Sequence, residues 1–105
     1  MQGTRAQQGL RRLCGALLVH AAVEVLIWRE PEDGPVQTVF VERDGLQILA
    51  RAIDLRTIRV RARRIDDPPG NEDHLFDTVV PEWPGQRESW ANRQAMLMVR
   101  FVSRD

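Results

Sequence analysis

Near Ala22 the hydrophobic period of this chain changes from that of a helix to that of a strand, and the second period holds for most of the remaining residues. Before the change, residues 4–21 read as one amphipathic helix. Thr4 is placed to cap it, and Gln7, three residues on, completes a capping-box pattern. Leu10, Leu13, Cys14, Leu17, Leu18 and Ala21 fall at helical spacing on one face, with Arg5, Gln8, Arg11 and Arg12 mostly opposite. Gly9 and Gly15 each weaken such a helix by up to about 1 kcal/mol relative to Ala, so packing has to hold it.

After the change, short alternating runs are separated by turn residues. Val23 to Arg29 reads as a first strand, and Pro31-Glu32-Asp33-Gly34-Pro35 as a turn, because Pro fixes φ and Gly accepts positive φ. Val36 to Arg43 is a second strand with Val39 and Val41 on one face. Asp44-Gly45 is a two-residue hairpin signal leading into Leu46 to Arg51. Ala52 to Leu55 is ambiguous and reads as a bend. From Thr57 to Ile65, Ile58, Val60 and Ala62 face one way while Arg59, Arg61 and Arg63 face the other. Leu75 to Val80 is a further strand. The apolar run Met96 to Val102 predicts a last strand from about Ala95 to Ser103, after a loop over 81–92.

One helix followed by about six antiparallel strands is an α+β arrangement, mainly β. Closing those strands into a small barrel over residues 22–103 is the economical way to remove exposed edges. At 105 residues the chain is expected to be a single domain, 1–105, with room for one core. The apolar run from Leu13 to Trp28 is interrupted by His20 and Glu24 and is short for a membrane span, so no membrane association is expected. A basic start followed by apolar residues faintly suggests a leader, but removing it would strip the sheet of its only helix.

Acidic and basic residues number 15 each, so the total does not indicate a cationic nucleic-acid binder. The charges are nevertheless segregated. Arg51, Arg56, Arg59, Arg61, Arg63 and Arg64 crowd residues 51–65, and Asp66, Asp67, Glu72, Asp73, Asp77 and Glu82 follow in 66–82. Such blocks can neutralise each other within one fold, match a neighbouring subunit, or offer the arginines to phosphate.

Catalytic and metal chemistry find little support. Glu72, Asp73, His74 and Asp77 have ligand-type side chains, but on a Pro/Gly loop with no second His nearby, which favours a solvated loop. No nucleophile elbow, phosphate-binding glycine loop or triad spacing is present, and Glu82 with Glu88 lacks a cleft-sized fold. Cys14, the one cysteine, sits on the apolar stripe as a small hydrophobe. The expectation is a protein that is not an enzyme and holds no cofactor or metal. Trp28 reads as packing at the end of the first strand. Trp90 reads as a lid folded onto the barrel, and Trp83 as either lid or interface anchor.

Three segments carry a resemblance: Ile48-Leu49-Ala50-Arg51-Ala52-Ile53-Asp54-Leu55, Phe76 to Pro81, and Glu88-Ser89-Trp90 before the last strand. Behind a leading helix, this order resembles the head–tail joining (neck) proteins of long-tailed bacteriophages. The resemblance covers roughly residues 46–103. It implies a non-enzymatic virion component, assembled in the host cytoplasm as a ring below the portal. Its implied partners are copies of itself, portal or adaptor and tail proteins, with possible contact with packaged DNA. The 66–73 and 81–92 loops would dock neighbouring rings. The interface would include Arg59, Arg61, Arg63, Asp66, Asp67, Glu72, Asp73, Trp83 and Trp90. The alternative is a small binding module or inhibitor encoded by a phage or mobile element.

Overall fold

A computed structural model describes residues 3–20, 24–29, 36–68 and 70–103, with only the backbone described for 24–29, 36 and 37. Helix α1 spans Arg5–His20. Its start is fixed by the expected capping box: the Thr4 amide donates to Gln7 Oε1 at 2.9 Å, and the Gln7 amide donates to Thr4 Oγ1 at 3.2 Å. Ala6, Leu10, Leu13 and Leu17 are fully buried. Each leucine removed from water in this way contributes about 1.5–3 kcal/mol, which offsets the glycines. Leu18, at the margin of the stripe, is instead 64% exposed.

Five strands follow: β1 (Glu24–Arg29), β2 (Val36–Arg43), β3 (Leu46–Ala52), β4 (Thr57–Arg64) and β5 (Asp73–Val79). They pair antiparallel, each with the next, in chain order. The β2–β3 connection has φ of 53° at Asp44 and 82° at Gly45, the two positive values that a type I′ hairpin needs. Between β3 and β4, Asp54 Oδ1 accepts the amides of Arg56 at 2.9 Å and Thr57 at 2.7 Å, which fixes the bend. The β4–β5 register shifts between Val60 and Arg61, leaving Leu75 as the extra residue of a bulge.

Register then assigns the faces. Val39 lies opposite Ala50 and Val41 opposite Ile48, while Ala50 lies opposite Val60 and Ala52 opposite Ile58. These side chains join α1 in one core, where Val39, Val41, Ala50, Ile58 and Val60 are fully buried. Ile58, Val60 and Ala62 thus face the core, and Arg59, Arg61 and Arg63 the other side, as the alternation requires.

The end of the chain departs from the strand reading. After a single 3-10 turn at Pro84–Gln86, helix α2 runs Arg87–Val102 and packs beside α1 on the same face of the sheet. In a strand, Met96, Met98, Arg100 and Val102 would share one face. Here Met98 and Val102 are buried while Met96 and Arg100 are exposed, a spacing of four that only a helix gives. Trp90, Ala91, Gln94 and Ala95 extend that buried stripe toward the N-terminus. Ala, Gln, Met and Leu between 91 and 98 are strong helix formers, and a short apolar run does not by itself distinguish helix from strand.

The closed six-stranded barrel is therefore replaced by an open five-stranded sheet under two helices. With both helices covering the apolar face, closure is not needed to bury it. No pairing joins β1 to β5 among the described residues. The turn expected over Pro31–Pro35, the start of the first strand at Val23, Ala21 and the Trp28 side chain lie outside the described residues. Among the described residues, no helix is long and apolar enough to cross a membrane.

Candidate interaction surfaces

Antiparallel pairing lines up side chains in cross-strand rows, and the sheet face away from the helices carries three of them. One row runs Thr38, Arg51, Arg59, Asp77; the next Phe40, Leu49, Arg61, His74; the third Glu42, Gln47, Arg63. Long side chains cover the strands closely enough that Thr38, Gln47 and Leu49 are buried on a face over which no helix lies among the described residues.

The arginine ladder is largely satisfied within the chain. Arg59 makes a two-point pair with Asp77, Nε to Oδ1 at 2.8 Å and Nη2 to Oδ2 at 2.9 Å. His74 Nε2 lies 3.0 Å from the same Oδ1. The Arg59 guanidinium, helped by His74, holds the Asp77 carboxyl far below the usual carboxylate range, and Asp77 raises Arg59 in return. Arg61 Nη1 binds Glu72 Oε2 at 3.2 Å. Arg63 Nη2 donates to Gln47 Oε1 at 2.9 Å, and Gln47 Nε2 donates on to Glu42 Oε1 at 3.1 Å. Asp54 is lowered as well, chiefly by the backbone amide of Arg56.

Among the described residues, two cations on this face lack a carboxylate. Arg51 has no hydrogen bond or ion pair among the described residues, although it stands directly opposite Arg59. Asp77 offsets Arg59 in that row, which leaves Arg51 as its uncompensated charge among the described residues. Arg63 has only the neutral Gln47, and its Nε is buried without an acceptor. A pocket of about 450 Å³ lies between them, lined by Thr38, Phe40, Leu49, Arg51, Ala52 and Arg63 among others. A smaller one of about 90 Å³ continues past Leu49 and Arg51 to Arg59 and Arg61.

The second surface is one end of the molecule, where the β3–β4 bend meets the exit of β5. The Val80 amide donates to Arg56 O at 2.9 Å, the Ala6 amide donates to Leu55 O at 2.9 Å, and Thr57 lies opposite Val79. Ile53, Leu55 and Val79 are exposed on these segments, Leu55 at 72%, with Ile53 turned toward Arg51 and Arg59, and Trp83, 68% exposed, follows four residues after Val79. The segment carrying Trp83 is held in place. Arg87 donates to Pro81 O at 2.9 Å, to Glu82 O at 3.1 Å and to Gln8 Oε1 at 2.8 Å.

The sequence-predicted interface residues thus fall into separate groups. Arg59, Arg61, Arg63 and Glu72 belong to the sheet face and are tied up with one another's neighbours. Asp66, Asp67 and Asp73 lie around the β4–β5 connection and make no ion pair among the described residues. Trp83 stands on the exposed end. Trp90 is not in a loop at all: the segment expected as a loop over 81–92 turns helical at Arg87, which carries the ring into the core. It is 4% exposed there, with Nε1 donating to Thr78 Oγ1 at 2.8 Å. Sequence reasoning missed Arg51, Arg87, Leu49 and Phe40 as site residues. The Asp44-Gly45 turn carried the signal for two of them, since a two-residue hairpin fixes Phe40 opposite Leu49.

Comparison with protein-family models, curated proteins and solved structures gives no match.

Proposed function

We propose that this chain is a small non-enzymatic binding protein that takes a partner protein on the apolar end formed by Ile53, Leu55, Val79 and Trp83. One observation carries the reading: large apolar side chains are exposed on neighbouring segments, the β3–β4 bend and the exit of β5, whose backbone is hydrogen-bonded in place. Exposed apolar clusters on a small protein mark contact sites, and an exposed Trp on a fixed loop has the form of an interface anchor. The pairing of Arg59 and Arg61 with acids of their own chain supports an end-on contact over one built from the arginine ladder.

The test is affinity capture from cells of the source organism with the wild-type chain and with Leu55→Asp plus Trp83→Ala. The expected result is one protein recovered at stoichiometric ratio by the wild type and lost from a folded variant. Equal recovery by both, or no stoichiometric partner, would overturn the reading.

A second reading, a ring subunit joining phage head to tail, keeps one supporting observation. The Pro/Gly/Trp segment presents Trp83 outward, where a docking loop is expected. On that reading the partners are copies of the chain, portal or adaptor and tail proteins, and the location is the virion. The closed barrel that would have formed the ring wall is absent, so subunit contacts alone would have to build it. Electron microscopy of the chain mixed with portal and tail complexes should then reveal stacked rings; a chain that stays monomeric in that mixture argues for the first reading.

A further inference from the structure

We propose that the trough on the uncovered face of the sheet binds a small organic acid, its carboxylate on Arg51 and its apolar body on Leu49 and Phe40, toward Arg63. This site adjoins the apolar end at Ile53, which lines the small pocket beside Arg51, but Leu55, Val79 and Trp83 do not line it and it does not depend on what docks on them.

Volume, lining and charge point the same way. The pocket of about 450 Å³ is in the size range of small-molecule sites, and its lining is mixed, with Phe40, Leu49 and Ala52 beside Thr38, Gln47, Arg51, Arg63 and Glu72. Its floor is the cross-strand pair Phe40 and Leu49, and guanidinium groups stand on either side of it, Arg51 in one row and Arg63 in another. Among the described residues, these are the two arginines of the ladder without a carboxylate. Arg51 stands opposite Arg59, whose charge Asp77 already takes, and among the described residues the Arg51 guanidinium has no partner and Arg63 keeps a buried Nε without an acceptor. An anion at Arg51 gives that guanidinium the charge-assisted pair that Arg59 already has with Asp77. A polyanion fits less well. Glu72 also lines the pocket and Asp77 lies at the end of the Arg51–Arg59 row, so a phosphate backbone would meet two carboxylates.

The experiment is a calorimetric and NMR titration of the full chain with octanoate and with octanol, which differ in charge. Acetyl-trileucine, a peptide acid, supplies the same carboxylate from a chain terminus. Octanoate is expected to bind at least about tenfold more tightly than octanol, with amide shifts on β2, β3 and β4. Arg51→Gln, an exposed position whose variant is checked by its thermal melt, should weaken octanoate at least about fivefold and leave octanol unchanged. Leu49→Ala should weaken both. Several results would overturn the proposal: no octanoate binding up to about 10 mM, equal affinity for the alcohol, or an unchanged Arg51→Gln. So would shifts confined to the helices, or a peptide acid bound about tenfold more tightly than octanoate, which would make the site a reader of chain termini.

Discussion

Gly9 and Gly15 lie in the same helix, and replacing each with Ala should change stability in opposite directions. Ala at either position gains about 1 kcal/mol of intrinsic helix propensity. At Gly15 a Cβ meets no heavy atom within 4 Å, so the gain is kept. At Gly9 it would fall 2.5 Å from Val80 Cγ2 and 3.1 Å from both Val80 Cγ1 and Trp90 Cη2. Val80 is fully buried and β-branched, so its methyl groups cannot turn aside, and overpacking of this kind costs about 1–3 kcal/mol. Propensity cancels between the two variants, so their difference isolates the overpacking. Gly15→Ala should be more stable than wild type by up to about 1 kcal/mol, and Gly9→Ala should lie about 1–3 kcal/mol below Gly15→Ala. In urea at 25 °C that separates the two midpoints by about 1 M for a domain of this size. Adding Val80→Ala to Gly9→Ala makes room for the new methyl, so the double variant should lose about 1 kcal/mol less than the two single losses combined. If Gly9→Ala matches or exceeds Gly15→Ala, the close approach of α1 to Val80 and Trp90 is wrong.

Trp90→Ala should cost about 3–5 kcal/mol in urea unfolding, whereas Trp90→Phe should cost less, losing chiefly the hydrogen bond to Thr78. Asp77 has a folded pKa below its unfolded value, so its ionisation stabilises the fold above the ordinary carboxylate range and loses that effect as pH falls toward the folded pKa. The urea midpoints of wild type and Asp77→Asn should therefore differ at pH 7 and converge progressively below about pH 4. Gly45→Ala places a Cβ at φ 82° in the β2–β3 turn and should lower stability by about 1 kcal/mol, read from the shift of the thermal midpoint.

Local signals in the sequence located most of the sheet. Thr4 with Gln7, Asp44 with Gly45, and the clean alternation from Thr57 to Ile65 each fix a short piece of backbone by neighbouring chemistry, and each appears as expected. The C-terminal helix was missed because Met96 to Val102 is apolar nearly throughout, and which of those side chains is buried depends on α1 and the sheet. That mistake carried over into the barrel, which needed a sixth strand, and into Trp90, which changed from loop lid to core. The site was legible only in part. Alternation alone placed the ladder arginines on one face, but not which of them has an acid. That depends on the bulge at Leu75, which brings His74 opposite Arg61 and keeps Asp77 opposite Arg59. Arg51 stands out only once those pairs are known.

The bulge has another consequence, for how the protein behaves when concentrated. β5 pairs only with β4 among the described strands, so its outer side offers a strip of backbone that could seed fibrils. The extra residue at Leu75 breaks the regular spacing of that strip, and Asp73, His74 and Asp77 set charged or polar groups along it. A foreign strand laid there meets both a misfit and a field of carboxylates, and each disfavours pairing along the edge.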